Sequence, residues 1–326
     1  MVCDRPISLL VLIPVFNDWK SLSLLLAELD KTFAESEQIC SVLVVDDAST
    51  IQVPSEYLLE PYQAIQTVDI LELRRNLGHQ RAIAIGLAYA EANLQHDAVL
   101  VMDGDGEDTP AEALRLIDKC REEKMQKIVF ARRSQRSESP IFQAFYAVYR
   151  LLYRLLTGQT INFGNFSIIP AEPLQRLAAV SELWNHYAAG VMRSRVPWTD
   201  IPTKRGYRLH GTSKMNFASL VIHGLSAISV FSEIIGARLL FFSSVLILMS
   251  ALSICMIVLV RLTTNWAIPG WASSIGVLLA VFLIQTVILS LMFIFIILAG
   301  RNNYSFVPQR DFHFYVLRVH HLLKCT

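Results

Sequence analysis

Five short stretches of the chain are apolar at nearly every position: Ile7–Ile13, Ser41–Val45, Ile70–Leu73, Ala98–Met102 and Lys127–Ala131. Such runs, lacking a polar alternation, predict strands covered on both faces. Between them the apolar spacing becomes helical. Trp19–Phe33 carries Leu22, Leu25, Leu26 and Leu29, and Gln80–Ala92 and Glu112–Glu123 read as further helices. Strands alternating with helices predict an α/β fold, a mostly parallel sheet with helices on both faces. The apolar run from Ile7 to Phe16 could pass for a signal-peptide core, but Asp4 precedes it, Pro14 sits inside it and no small-residue cleavage site follows, so a strand is the better reading.

The pattern changes after residue 237. Leu239–Val260 and Ile275–Ala299 contain no charged residue, and each is long enough to cross a bilayer as a helix. The loop between them has Arg261 and no Lys, whereas Arg301, Arg310, Arg318 and Lys324 follow the second span. That bias predicts a cytoplasmic catalytic domain and cytoplasmic termini, with Trp266 and Trp271 at the outer interface. Two other segments, Ile141–Leu156 with Arg150 and Arg154, and Phe217–Ile235, read either as helices lying on the membrane surface or as core helices. The expected organisation is a catalytic domain over 1–216, an interfacial region over 217–237, two transmembrane helices over 238–300 and a cytoplasmic tail over 301–326.

Composition agrees. Of 326 residues, 53% are hydrophobic and only 17% charged. A net charge of +1 gives no footing for nucleic acid. The five cysteines have no C-x-x-C spacing, which supports neither a disulfide framework nor a zinc site.

The polar motifs follow the apolar strands, where open α/β sheets bind their ligands. Asp46 and Asp47 end one run, and Met102-Asp103-Gly104-Asp105 ends another, with Glu107 and Asp108 just beyond. Carboxylates at this spacing suit a hard cation such as Mg²⁺ or Mn²⁺, which takes one or two carboxylates plus substrate phosphates. Gly104 leaves the backbone open to a ligand. The run is neither a dinucleotide fingerprint, since Thr109 stands where a Gly is needed, nor an EF-hand, since Asp108 and Leu114 occupy its sixth and twelfth positions.

Taken together, five motifs in order resemble glycosyltransferase family 2, and within it the polyprenyl-phosphate sugar synthases. They are Ile13-Pro14-Val15-Phe16-Asn17-Asp18, Val45-Asp46-Asp47-Ala48-Ser49, Arg75-Asn76-Leu77-Gly78-His79-Gln80 with Ala82 and Gly86, Met102-Asp103-Gly104-Asp105 with Pro110, and Arg205-x-x-Arg208-x-x-Gly211-x-Ser213-Lys214. The resemblance implies a GT-A-like fold. It also implies metal-dependent, inverting transfer from a UDP- or GDP-linked sugar to a polyprenyl phosphate at a lipid bilayer, with a homo-oligomer as a further expectation. Asp103, Asp105 and Glu107 would hold the metal. Pro14, Phe16, Asp18 and Asp47 would bind base and ribose, and Asp46 reads either as a nucleotide contact or as a turn carboxylate. Arg205, Arg208, Ser213 and Lys214 would take the diphosphate. Arg133 and Arg136 would face the acceptor phosphate, with Arg132 a rival register.

The chain departs from the pattern at Phe16 for Tyr, Asp18 for Glu, Ala48 for Gly, and Asn165 for the Asp of a G-D-F motif. His79, His186 and His210 read as structural. Three rivals stay open. A processive synthase would carry a Q-x-x-R-W motif that is absent here. A transferase to a hydroxyl would use Asp105, Glu107 or Asp108 as base. A silent membrane scaffold would have no need of the motifs.

Overall fold

In the computed structural model, residues 7–54, 62–133, 140–160, 163–211, 217–264, 270–302 and 306–324 are described. The apolar runs form the middle of an eight-stranded sheet. Its strands are β1 (Leu9–Val15), β2 (Cys40–Asp46), β3 (Ile65–Leu73), β4 (Ala98–Val101), β5 (Ile128–Arg133), β6 (Ser167–Pro170), β7 (Trp198–Thr203) and β8 (Val316–Lys324). Their order is β7-β5-β6-β4-β1-β2-β3-β8. β4, β1, β2 and β3 run parallel, so their carboxyl ends lie along one edge. β6 and β8 run against their neighbours and make the sheet mixed.

Helices α1 (Trp19–Glu35) and α3 (Pro110–Glu122) cover one face; α2 (His79–Asn93), α5 (Ala171–Ala178) and α6 (Tyr187–Ser194) cover the other, with α4 (Pro140–Thr157) intervening in the chain. Each face has its own buried cluster, as expected for strands apolar on both sides. α3 starts cleanly because Thr109 accepts the Glu112 N–H at 3.4 Å and Pro110 occupies the first turn. Asp30 on α1 takes the N–H groups of Gln63, Ala64 and Ile65 and so fixes the start of β3.

Periodicity does not announce β6, β7 or β8. β6 has four residues, β7 is half-exposed, and β8 follows both long apolar helices yet pairs antiparallel with β3. The segment expected as a tail therefore supplies a strand. Residues 1–147, 160–230 and 305–326 form one compact unit, which also holds α7 (Phe217–Ser229).

The second unit comprises residues 148–159 and 231–304. It contains α8 (Ser232–Thr263) and α9 (Trp271–Asn302). Both are long and apolar enough to cross a membrane, and only 6% of each apolar window is buried, unlike the core helix of a soluble protein. The two helices pack together, with Ser250 and Thr286 buried. In the same unit Arg238 donates to the Leu155 and Leu156 carbonyls at 2.8 and 3.1 Å, satisfying the end of α4. Leu151, Leu152 and Leu155 of α4 are exposed, as are Ile222 and Leu225 of α7 in the first unit.

The last glycine of the third motif has a packing reason. A Cβ on Gly86 would lie 2.6 Å from Val45 Cγ2 and 2.8 Å from Leu12 Cδ1, where α2 crosses the sheet. Gly86→Val should destabilise the catalytic unit by about 1–3 kcal/mol through overpacking, read as a lowered unfolding midpoint in detergent.

Candidate functional site

The parallel strands deliver three loops to one edge. After β1, Asn17 takes a left-handed backbone (φ 52°) and binds the loop after β2. Its Oδ1 accepts the N–H groups of Thr50 and Ile51 at 2.9 and 3.0 Å, and its own N–H donates to Ser49 Oγ. Trp19 Nε1 donates to the Ile51 carbonyl at 2.8 Å. Asp46 accepts the Ser49 N–H at 2.9 Å, which fits the turn-carboxylate reading. Asp47 accepts the N–H groups of Leu77 and Gly78 at 2.7 and 2.8 Å, one on each oxygen. It thereby holds the Arg-Asn-Leu-Gly loop at the start of α2. Burial raises both carboxyls above their usual range, against the pull of these hydrogen bonds. Pro14 is buried within β1, whereas Phe16 is 41% exposed just beyond it.

The acidic loop after β4 is where charge concentrates, and each of three carboxylates has a basic side chain beside it. Asp103 lies 3.1 Å from His79 Nε2. Asp105 receives Arg208 Nη1 at 3.1 Å, and the same guanidinium reaches Asp18 at 3.0 Å through Nη2. Arg205 donates through Nε to Glu107 Oε2 at 2.8 Å, with Nη2 on the same oxygen. The backbone is laced as well. Gly206 N–H donates to the Glu107 carbonyl at 2.8 Å, and Leu209 N–H to that of Asp105 at 2.9 Å. Asp108 accepts the Asp103 N–H at 3.1 Å. Gly106 turns with φ +86°, and a Cβ there would meet Leu209 Cγ at 2.4 Å, so the crossing segment needs this glycine.

Burial raises the Asp105 carboxyl above its usual range; Asp103 and Glu107 add to this, while the Glu107 N–H and Arg208 oppose it. For His79, burial disfavours the charged ring, but Asp103, with Asp108 and Asp105, outweighs it and raises the pKa.

A chain of amides reaches the same ring. Tyr187 N–H donates to Gln80 Oε1 at 2.7 Å, Gln80 Nε2 donates to Asn165 Oδ1 at 3.0 Å, and Asn165 Nδ2 lies 2.9 Å from His79 Nε2. Asn165, the departure from the G-D-F pattern, thus joins α2 and α6 to Asp103. Nothing in the sequence marks His79 as Asp103's neighbour, nor Asp18 as Arg208's partner; only the motifs containing them are visible.

The donor set suits a hard divalent cation, being carboxylate oxygens held close together and partly shielded from water. Among the described residues no three His, Cys, Asp or Glu side chains could together hold an ion. An ion at Asp103 and Asp105 would leave further coordination positions to phosphate oxygens. Gly104 sits within this loop, whereas Met102 is fully buried in the core, its N–H donating to the Leu12 carbonyl at 3.1 Å. Arg133 ends β5 opposite Thr203 of β7. Arg132 pairs with Asp200. Arg136, Ser213, Lys214 and Trp266 lie outside the described residues.

Further along the same unit, His186 caps α6, accepting the Ala189 N–H on Nδ1 at 3.3 Å, and its Nε2 lies 3.2 Å from His223 Nε2 on α7. Burial, then His223, pushes the His186 pKa down to about 3. Burial, then His79, lowers that of His223.

Comparisons with known proteins place this geometry. The family model described as Glycosyl transferase family 2 matches residues 10–184. An uncharacterised glycosyltransferase of Bacillus subtilis (strain 168) is 27% identical over 287 residues, 83% of each chain. The undecaprenyl-phosphate 4-deoxy-4-formamido-L-arabinose transferase of Edwardsiella ictaluri is 26% identical over 275 residues, covering 81% of this chain and 79% of that protein. Among solved structures, glucosyl-3-phosphoglycerate synthase from Mycobacterium tuberculosis, in complex with Mn²⁺, UDP-glucose and phosphoglyceric acid, superposes with a TM-score of 0.51 at 12% identity. That match covers 71% of this chain and 80% of the other, and it shows a GT-A-like fold.

Ala48 stands at φ 56°, in the left-handed region that favours glycine. Ala48→Gly should therefore stabilise the protein by about 0.5–1 kcal/mol, seen as a raised unfolding temperature. Folding lowers the pKa of both His186 and His223, while both rings protonate near pH 6.5 in the unfolded chain. The unfolded state then binds more protons, so stability should fall as pH drops below about 6.5. His186→Asn, which keeps an acceptor for the α6 cap, should flatten part of the loss in melting temperature between pH 7.5 and 5.5.

Proposed function

This chain belongs to glycosyl transferase family 2, and from that premise we propose that it transfers a sugar from a UDP- or GDP-linked donor to a polyprenyl phosphate. The observation that carries the reading is the charge-matched loop. Asp103, Asp105 and Glu107 follow a buried strand and are met by His79, Arg208 and Arg205. Such a site has anionic oxygens for a metal and guanidinium groups for a diphosphate, side by side. The undecaprenyl-phosphate transferase of Edwardsiella ictaluri supports the choice of acceptor. Two apolar helices support a bilayer setting, the phase in which a polyprenyl chain dissolves.

Asp103 and Asp105 would hold Mg²⁺ or Mn²⁺; Glu107, expected as a third ligand, is instead engaged by Arg205. When bound, such an ion supplies Lewis-acid neutralisation of the diphosphate. Arg208 is positioned from two sides, by Asp18 and by Asp105, and presents a rigid planar fork of the kind that binds phosphate oxygens in pairs. Arg205 and Lys214 complete the positive side, with Ser213 as a hydroxyl donor. Phe16 offers an exposed ring to the base, beside Asp18 and the Asp46-Asp47 turn. Arg133 and Arg136 are assigned to the acceptor phosphate. That phosphate needs no strong base, because a phosphomonoester with a second pKa of about 6 is already anionic near neutrality. Its oxygen forms the new bond to the anomeric carbon as the bond to the diphosphate breaks from the opposite face, which inverts the configuration. The work left to the protein is alignment and stabilisation of the departing charge. The Lys/Arg bias supports a cytoplasmic catalytic unit. The exposed leucines of α4, flanked by Arg150 and Arg154, and the apolar surface of α7 support contact with a headgroup layer.

The test uses purified protein in detergent with undecaprenyl phosphate, Mg²⁺ or Mn²⁺, and a panel of UDP- and GDP-sugars. One donor should yield a lipid-linked monosaccharide, and EDTA should abolish the product. Asp105→Ala and Arg208→Lys should each lower kcat by about 10²–10³. Metal-dependent donor binding without transfer would move the acceptor away from polyprenyl phosphate. Neither binding nor transfer would sink the proposal and favour a scaffold.

A further inference from the structure

The hydrogen-bond chain that ends on His79 has a direction, and the backbone sets it. A main-chain N–H can only donate, so the Gln80 atom 2.7 Å from the Tyr187 nitrogen is the amide oxygen. Gln80 then turns Nε2 to Asn165, which meets it with Oδ1 at 3.0 Å. That leaves Asn165 only Nδ2 for His79 Nε2, 2.9 Å away. Turning over Gln80 would set its NH₂ against the Tyr187 N–H, and turning over Asn165 would set two NH₂ groups face to face. Tyr187 itself is fully buried, and its hydroxyl lies 2.7 Å from Ser167 Oγ, which donates to the Asn165 carbonyl at 2.9 Å. Asn165 is thus tied to Tyr187 twice, through its main chain and through its side chain, and its amide is held ready for the ring.

At the far end His79 meets two neighbours with opposite demands. Asn165 offers a hydrogen to Nε2 and needs a lone pair there. Asp103 Oδ1, 3.1 Å from the same nitrogen, needs a hydrogen. One ring nitrogen presents one or the other in the ring plane, so each neighbour weakens the other's hold.

We infer that Gln80 and Asn165 are positioning residues for the acidic loop: the N–H they deliver to His79 loosens the ring's grip on Asp103 and keeps that carboxylate available to a divalent ion. The inference rests on the metal reading of Asp103 and Asp105. It gives a reason for Asn at position 165, where the G-D-F pattern has Asp. A carboxylate there would present only oxygen, accept from Nε2 and hold the ring as a donor beside Asp103. The amide reverses that demand while keeping the same shape and the same bond from Gln80.

Mn²⁺ binding to the purified full-length protein in detergent, with UDP or GDP present and no acceptor, tests this through the electron paramagnetic resonance signal of the free ion. Asn165→Leu should weaken Mn²⁺ binding about tenfold. Gln80→Met, at a position in contact with Asn165 and not with Asp103, should weaken it in the same direction and carries the test if Asn165→Leu fails to fold. Asn165→Asp should weaken it as well, although its added negative charge alone would tighten it. In a His79→Phe chain the ring through which these residues act is gone. There Asn165→Leu and Gln80→Met should change Mn²⁺ binding by about twofold or less, and Asn165→Asp should tighten it. Equal losses with and without His79, no loss in either Asn165→Leu or Gln80→Met, or tighter binding by Asn165→Asp beside His79 would each overturn the inference. If the unsubstituted protein binds no Mn²⁺, or Asp103→Ala and Asp105→Ala bind it equally well, the metal reading falls and the inference with it. A failure confined to the Asn165 and Gln80 variants leaves the metal reading standing.

Discussion

Like charges crowded at the end of a buried strand constrain the rest of the catalytic unit. Asp103, Asp105, Glu107 and Asp108 occur within one turn of chain, directly after β4, with limited access to water. Their mutual repulsion rises as the surroundings become less polar. The structure meets it locally: Asp108 binds the Asp103 N–H, Gly106 reverses the loop, and the 204–209 segment is laid across it by two backbone hydrogen bonds. It also meets it at long range, since Arg208 comes from a segment far along the chain and His79 from the start of α2. Replacing these contacts with a divalent ion and a diphosphate exchanges one neutralised arrangement for another. Binding then need not create a charge balance from nothing.

A second set of carboxylates does purely architectural work. Asp30 takes three backbone N–H groups at the start of β3, and Asp47 takes two at the start of α2. Both stand where irregular backbone would otherwise be left with unmet donors close to the core. Asp47 shows how a motif residue can serve a ligand site at one remove, by holding the loop that presents His79 to Asp103.

Much of the fold was legible in the sequence, because β1, β2 and β4 are apolar on both faces and the helices between them keep a clear period. β6, β7 and β8 were not. Four residues are too few to show a period, and β8, whose Arg318, His320 and His321 interrupt its apolar residues, is a strand only because β3 is there to receive it. The candidate site divides the same way. Its five motifs and the position of the carboxylates after a strand could be read directly. The pairing of Arg208 with Asp18, 190 positions apart, and the amide chain from Tyr187 to His79 depend on how distant segments meet, which no local pattern encodes.

The place of β8 in the chain has a consequence for biogenesis. Its partner β3 is made early, but β8 emerges only after both long apolar helices have been synthesised. Until then β3 presents an open row of backbone donors and acceptors, a surface prone to wrong pairing. The nascent catalytic unit therefore waits on the translation of α8 and α9 for its final strand. A ribosome that stalls within those helices leaves an unfinished sheet edge, a mark by which quality control could tell an incomplete chain from a finished one.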